Sequence, residues 1–254
     1  MISFVGAGPG AADLITLRGA DRLGRADVVI FAGSLVAPAL LERCRRGAVL
    51  LDSSRMTLEQ VTAVFAAHPD EAVVRLHSGD PTLYSAVAEQ IDWCRANGRP
   101  YEIVPGVSSV AATAAAAGRE LTVPGLAQSV VLTRLARRTA ASVPDHESLE
   151  ALARQGATMA LFLSAGDPDA LARALLCEGS AYSPATPVVI GYKVSWPEEV
   201  VVRSSLGQLA ADLALLGWRT SVMLLVGEAL AEAEVPRASH VYSAAFGHSF
   251  RPGP

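Results

Sequence analysis

Three cysteines, one lysine and an aromatic share of 6% leave several kinds of chemistry without their usual residues in this chain of 254. Cys44, Cys94 and Cys177 are odd in number, far apart and in no C-x-x-C pair, so neither a disulfide framework nor a thiolate zinc site is expected. Reduced thiols of this kind imply a cytoplasmic protein. The five histidines, at 68, 77, 146, 240 and 248, lie singly, so no metal is expected. There is no basic excess: the formal net charge is −4, which argues against a nucleic-acid partner. No apolar run reaches the roughly 18 residues of a membrane span, and the start MISFVGAG has neither basic flank nor cleavage site, so neither a membrane segment nor a signal peptide is expected. No serine or cysteine is placed for a nucleophilic triad.

What remains is half apolar and 18% charged, the composition of a globular protein with a large core. Short, continuous apolar runs alternate with helical patterns from the first residue. ISFVGA, DVVIFA, AVLLD, AVVRLHS and YEIVPG read as strands, with helices over Leu17–Arg25, Ala37–Cys44, Leu58–Ala67 and Leu83–Ala96. Such runs predict a mainly parallel sheet covered on both faces. The Gly- and Pro-containing GRELTVPGLAQ interrupts the pattern, which resumes with SVVLTR, TMALFLS, PVVIGY, EVVVRS and TSVMLLVG. Between PVVIGY and EVVVRS there is room only for a hairpin, so the second sheet is mixed. The reading is two α/β domains, residues 1–118 and 119–235, followed by a Ser-, Gly-, Pro- and His-rich tail over 236–254.

Three irregular loops fall at the carboxyl ends of the first domain's strands, where open α/β sheets bind ligands. The first, VGAGPGAAD, fits the G-x-G-x-x-A dinucleotide pattern, but the next helix starts only after Thr16, its expected N-cap. Pro9 also removes an amide that a phosphate cradle would use. A nucleotide-binding oxidoreductase or sensor is therefore the distant alternative. The second loop, RLHSGDPTLYSA, contains a Gly-Asp-Pro that recurs at Gly166-Asp167-Pro168. At either corner the Asp can cap the next helix and the Pro can open it. A bare corner needs no Tyr84 one turn into its helix, and no Ser108-Ser109 pair in the third loop, VPGVSS.

Together VGAGPGAADLITLRG, RLHSGDPTLYSA, VPGVSSVAATAAAAGRELTVP and FLSAGDP resemble the tetrapyrrole methylase family over roughly residues 1–230. The resemblance implies two α/β domains with the cofactor in the cleft between them, S-adenosylmethionine as co-substrate, a tetrapyrrole macrocycle as substrate and a homodimer. Carried over by position, its cofactor contacts fall on Pro9, Ser78, Gly79, Asp80, Leu83, Ser108, Ser109, Leu163 and Val194, with Tyr84 beside them. The first Gly-Asp-Pro thus becomes a cofactor loop and the second keeps a capping role. No general base is named; Asp80 is the candidate.

A macrocycle bearing carboxylates needs local cations, and with one lysine these are arginines, whose planar forks suit carboxylates. Arg134, Arg137 and Arg138 follow SVVLT, with a solvated charged face as the alternative. Asp52, Ser53 and Ser54, at the end of the third strand, are the remaining substrate-side candidates. A sister methylase acting on another tetrapyrrole, or a protein-modifying relative, is the nearer alternative.

Overall fold

The structure is a computed structural model that describes residues 1–135, 143–232, 246–247 and 249–251. The chain forms two compact units. One comprises Met1–Ala112 together with Lys193–Val200; the other comprises Thr113–Tyr192 and the chain from Val201 onward.

The first unit is built on five strands, β1 (Ile2–Gly6), β2 (Val28–Phe31), β3 (Val49–Asp52), β4 (Val73–His77) and β5 (Tyr101–Val104). Their order is β3-β2-β4-β1-β5 and every pairing is parallel. Its helices are α1 (Leu17–Arg25), α2 (Pro38–Leu41), α3 (Leu58–Ala67), α4 (Ala88–Ala96) and the start of α5 (Ser109–Ala116). Alternation along the strands divides the core. Val5, Val29, Val74 and Leu76 pack with Leu23 of α1 and Leu40 of α2, whereas Ile2, Phe4, Ile30 and Val73 pack with Phe65 of α3 and Ile91 of α4.

Two connections leave in opposite directions. The chain from β1 crosses over β4 to reach β2 through α1 on one face, and the chain from β4 crosses over β1 to reach β5 through α4 on the other. The loops after β1 and β4 therefore diverge at neighbouring strands, the topological switch point at which open α/β sheets open a crevice. Thr16 caps α1 by accepting from the Gly19 amide at 3.1 Å. The helix expected over Ala37–Cys44 is shorter, because Arg43 and Cys44 already bond three residues back, to Leu40 and Leu41.

The second unit contains β6 (Val130–Arg134), α6 (Leu149–Ala153), β7 (Thr158–Phe162), α7 (Pro168–Leu175), β8 (Pro187–Tyr192), β9 (Val200–Ser205), α8 (Leu209–Leu216) and β10 (Val222–Val226). Its sheet order is β6-β7-β10-β8-β9. β6 runs parallel to β7, and β10 lies antiparallel to both its neighbours, which makes the sheet mixed. The core joins Met159, Leu161, Ile190 and Leu224 of the strands to Leu171 and Leu175 of α7 and to Leu209 and Leu213 of α8.

The second Gly-Asp-Pro opens α7. Asp167 Oδ1 accepts from the Ala170 amide at 3.0 Å and Pro168 takes the first helical position. Asp167→Ala is expected to lower unfolding free energy by about 0.5–2 kcal/mol, measured by chemical denaturation.

Candidate cofactor site

Three backbone segments meet at the carboxyl edge of the first sheet. Gly8 and Gly79 form a two-way bridge, Gly79 N to Gly8 O at 2.8 Å and Gly8 N to Gly79 O at 3.2 Å. A Cβ on Gly6 would lie 2.6 Å from Gly106 Cα and from Gly79 O, and one on Gly106 would lie 2.2 Å from Gly79 O. Side chains at 6 and 106 are sterically barred. Gly79 is constrained differently: its φ is +64°, and a Cβ there would approach nothing closer than 3.9 Å. The space beside Gly79 is faced by the Ser109 amide, Ser108 Cα and the Val107 carbonyl.

Asp80 locks the second loop to the third. Its Oδ2 accepts from the Gly106 amide at 2.9 Å, and its Oδ1 accepts from the Thr82 amide at 2.7 Å and the Thr82 hydroxyl at 2.5 Å. Burial pushes this carboxyl up, but the Thr82 and Gly106 bonds outweigh it and hold it below the usual aspartate range. The expected helix from Leu83 does not form. The Ser85 hydroxyl donates to the Asp80 and Leu83 carbonyls, and Tyr84 and Ala86 adopt φ of 52° and 47°, so the helix begins only at Ala88. Asp80 therefore caps no helix, and Tyr84, 45% exposed, lies in the irregular segment before α4. Two left-handed non-glycine residues, separated only by Ser85, cost on the order of 1–3 kcal/mol each, and such strain clusters at ligand sites.

Pro9 is buried; Ser78 and Leu83 are half-buried. Ser108 accepts from the Val110 amide at 3.3 Å through its hydroxyl and from the Ala112 amide through its carbonyl, and Ser109 opens α5. Val194, 6% exposed, belongs to the same unit through the Lys193–Val200 segment. Leu163 belongs to the second unit, directly after β7. It is 74% exposed with φ of 53°, an arrangement that packing within that unit does not explain.

The substrate-side candidates divide. Asp52 accepts from the Gly33 and Ser54 amides, both at 2.9 Å, and these bonds, Gly33 first, lower its pKa; the exposed carboxylate ties the β2 loop to the β3 loop. Ser53 bonds the Phe31 carbonyl and accepts from Arg75 at 2.9 Å. Ser54 is exposed. Arg134 ends β6, half-buried and with no ion pair among the described residues. Arg137 and Arg138 lie outside the described residues. Among the described residues no three His, Cys, Asp or Glu cluster as a metal site would require.

Residue type alone does not reveal the roles of two groups. Gly6 and Gly106 matter through backbone proximity, of which the sequence shows only a Gly in VPGV. His77, 5% exposed on β4, has no hydrogen-bond partner for its Nε2 among the described residues, and burial, followed by repulsion from Arg75, drives its pKa down to about 3. Arg75 is itself lowered to about 10 by burial, and it donates to Gln90, Ser53 and the Ile30 carbonyl.

Residues 1–210 match the family model described as Tetrapyrrole (Corrin/Porphyrin) Methylases. The chain belongs to this family. A precorrin-4 C(11)-methyltransferase of Sinorhizobium sp. is 44% identical over 252 residues, 98% of each chain. Among solved tetrapyrrole methylases, a cobalt-precorrin-4 methyltransferase superposes with a TM-score of 0.86 at 41% identity, over 91% of this chain and 95% of its own. A uroporphyrin-III C-methyltransferase from Thermus thermophilus, complexed with S-adenosylhomocysteine, gives a TM-score of 0.76 at 26% identity, over 90% and 98%.

The neutral His77 sets a pH dependence in this tetrapyrrole methylase. Between its ordinary value near 6.5 and about 3, the unfolded chain takes up a proton that the folded chain refuses, so stability falls as pH falls through that window. At pH 5 the loss attributable to His77 is about 2 kcal/mol relative to pH 7.5. His77→Gln is expected to remove most of that difference in paired denaturation curves at the two pH values.

Proposed function

We propose that this chain transfers the methyl group of S-adenosylmethionine to C-11 of precorrin-4, giving precorrin-5 in cobalamin biosynthesis. The observation that carries the proposal is the near full-length similarity to a precorrin-4 C(11)-methyltransferase. The stretches AGSLVAP, LLDSSRMTLEQ, QSVVLTRLARRT and VVIGYKVSWPEE resemble the same enzyme. The similarity to a cobalt-precorrin-4 methyltransferase favours a second reading, in which the macrocycle already carries cobalt.

The loops of the first unit fit the co-substrate. A relative of the same fold is complexed with the demethylated product. Here the space beside Gly79, faced by the Ser109 amide and the Val107 carbonyl, offers backbone polar groups to an amino-acid or ribose portion. Pro9, Ser78, Gly79, Leu83, Tyr84, Ser108 and Ser109 would line it, with Val194 as an apolar contact. Asp80 is better read as the lock on this loop than as a base, because both its oxygens already accept hydrogen bonds from Thr82 and Gly106.

The transfer is a single displacement. The sulfur–methyl bond breaks with its electron pair going to sulfur, the electron-rich ring carbon forms the new bond with its own pair, and the positive charge that passes to the macrocycle is lost as a proton. The protein's part is to align two bound molecules and exclude water. Arg134, with Arg137 beyond the described residues, would hold macrocycle carboxylates; Asp52, Ser53 and Ser54 are the first unit's own candidates for contact with the macrocycle. A cytoplasmic homodimer completes the reading, testable by light scattering. No helix among the described residues is long and apolar enough to cross a membrane.

With precorrin-4 and a cofactor labelled in a chiral methyl group, one label is expected at C-11, with inverted configuration and none on the protein. Retention, or label on a side chain, would overturn direct transfer; label at another carbon would overturn the substrate. Gly79→Val, which forces a branched residue to a φ of +64°, is expected to weaken S-adenosylhomocysteine binding by about 100-fold or more in calorimetry. Arg134→Ala is expected to raise KM for the macrocycle more than for the cofactor.

A further inference from the structure

The segment Lys193–Val200 lies between β8 and β9 of the second unit, yet it packs into the first. Its shape is expensive. Lys193 and Ser195 hold φ of 43° and 69°, left-handed values that cost non-glycine residues energy. Local bonds fix it: Trp196 N to Lys193 O at 2.9 Å, Glu199 N to Trp196 O at 3.0 Å, and Ser195 N to the Glu199 carboxylate at 2.6 Å. The Lys193 ammonium lies 5.7 Å from the centre of the Trp196 ring.

The strained strap presents two groups to the glycine loop. The Trp196 indole N–H donates to the Pro9 carbonyl at 2.9 Å, and the Ser195 hydroxyl accepts from the Ala11 amide at 3.0 Å. The ring edge is so close to Gly10 that a Cβ there would come within 2.2 Å of Trp196 Cδ1. The loop is thus bracketed: Gly8 is bonded to Gly79 on one side, and Pro9 and Ala11 are bonded to the strap on the other. Pro9 has no amide of its own, so its carbonyl is the only backbone group by which that residue can be fixed.

We infer that Trp196 is a positioning residue for the glycine loop: acting through Pro9 and against Gly10, it holds residues 8–14 in the shape that receives the cofactor. The inference rests on the reading of this loop as cofactor-binding. Trp196→Phe removes the donor but keeps a ring. Gly10→Ala keeps the indole but drives it from its place, and because Gly10 lies outside the left-handed region, alanine adds no backbone strain of that kind.

Hydrogen–deuterium exchange without ligand is expected to quicken in both variants over residues 8–14, with the β2 and β3 segments unchanged. Calorimetry with S-adenosylhomocysteine is expected to show affinity about five- to tenfold weaker in each, the effect of one lost hydrogen bond. Because both substitutions break the same contact, the double variant should be no weaker than the weaker single one. KM for the macrocycle should move less than the cofactor affinity. Unchanged exchange over 8–14, affinities within twofold of wild type, or fully additive losses would overturn the inference. A wild-type protein that binds no S-adenosylhomocysteine would instead overturn the cofactor reading, and exchange in the two variants would still decide whether the strap holds the loop.

Discussion

The close approach of three glycine backbones is the constraint on which the first unit's site depends. Gly6, Gly79 and Gly106 come from the ends of β1, β4 and β5, and any side chain at 6 or 106 would force those ends apart. With the ends in contact, one carboxylate, Asp80, reaches the Gly106 amide and Thr82 together. The parallel order β4-β1-β5 supplies the adjacency, the glycines permit the contact, and the aspartate fastens it. What is left facing outward is backbone: amides and carbonyls with small side chains around them.

Such a rim suits a reaction that needs alignment more than it needs a reactive residue. A methyl group on a positive sulfur is already activated, so the enzyme has little covalent work to do, and the rate advantage lies in holding donor and acceptor at attack distance. The charge distribution agrees. In an acidic chain with a single lysine, arginines are the main side chains available to pair with carboxylates, and a guanidinium fork pairs with a carboxylate in a defined orientation.

Most of the architecture was legible in the sequence because the periodicities were strong. All ten apolar runs became strands, and Leu17–Arg25 and Leu58–Ala67 formed helices with the expected bounds. The two Gly-Asp-Pro corners show where legibility ends. Their local sequences permit the same cap, yet Asp167 caps α7 while Asp80 turns to the Gly106 amide, 26 residues away. The difference arises from a neighbour that only the folded sheet provides. The delayed start of α4 has the same origin: Tyr84 and Ala86 are held in left-handed conformations that neither residue favours alone. Trp196 was also hidden, since nothing in GYKVSWPEE indicates that the indole would meet Pro9, 187 positions earlier.

The discontinuous make-up of the first unit has a consequence for how the protein is born. Its sheet is complete once residue 104 has been synthesised, but Lys193–Val200 belongs to the same compact body. At translation speeds of about 5–20 residues per second, roughly 5–20 s separate the sheet from the strap. During that interval the residues of the parallel sheet and of the Gly8–Gly79 bridge are already present, but Pro9 and Ala11 lack their later partners. The loop after β1 is therefore the last part of the first unit to receive its partners, after three of the second unit's five strands have been made, and a chain interrupted before residue 193 would lack the groups that fasten it.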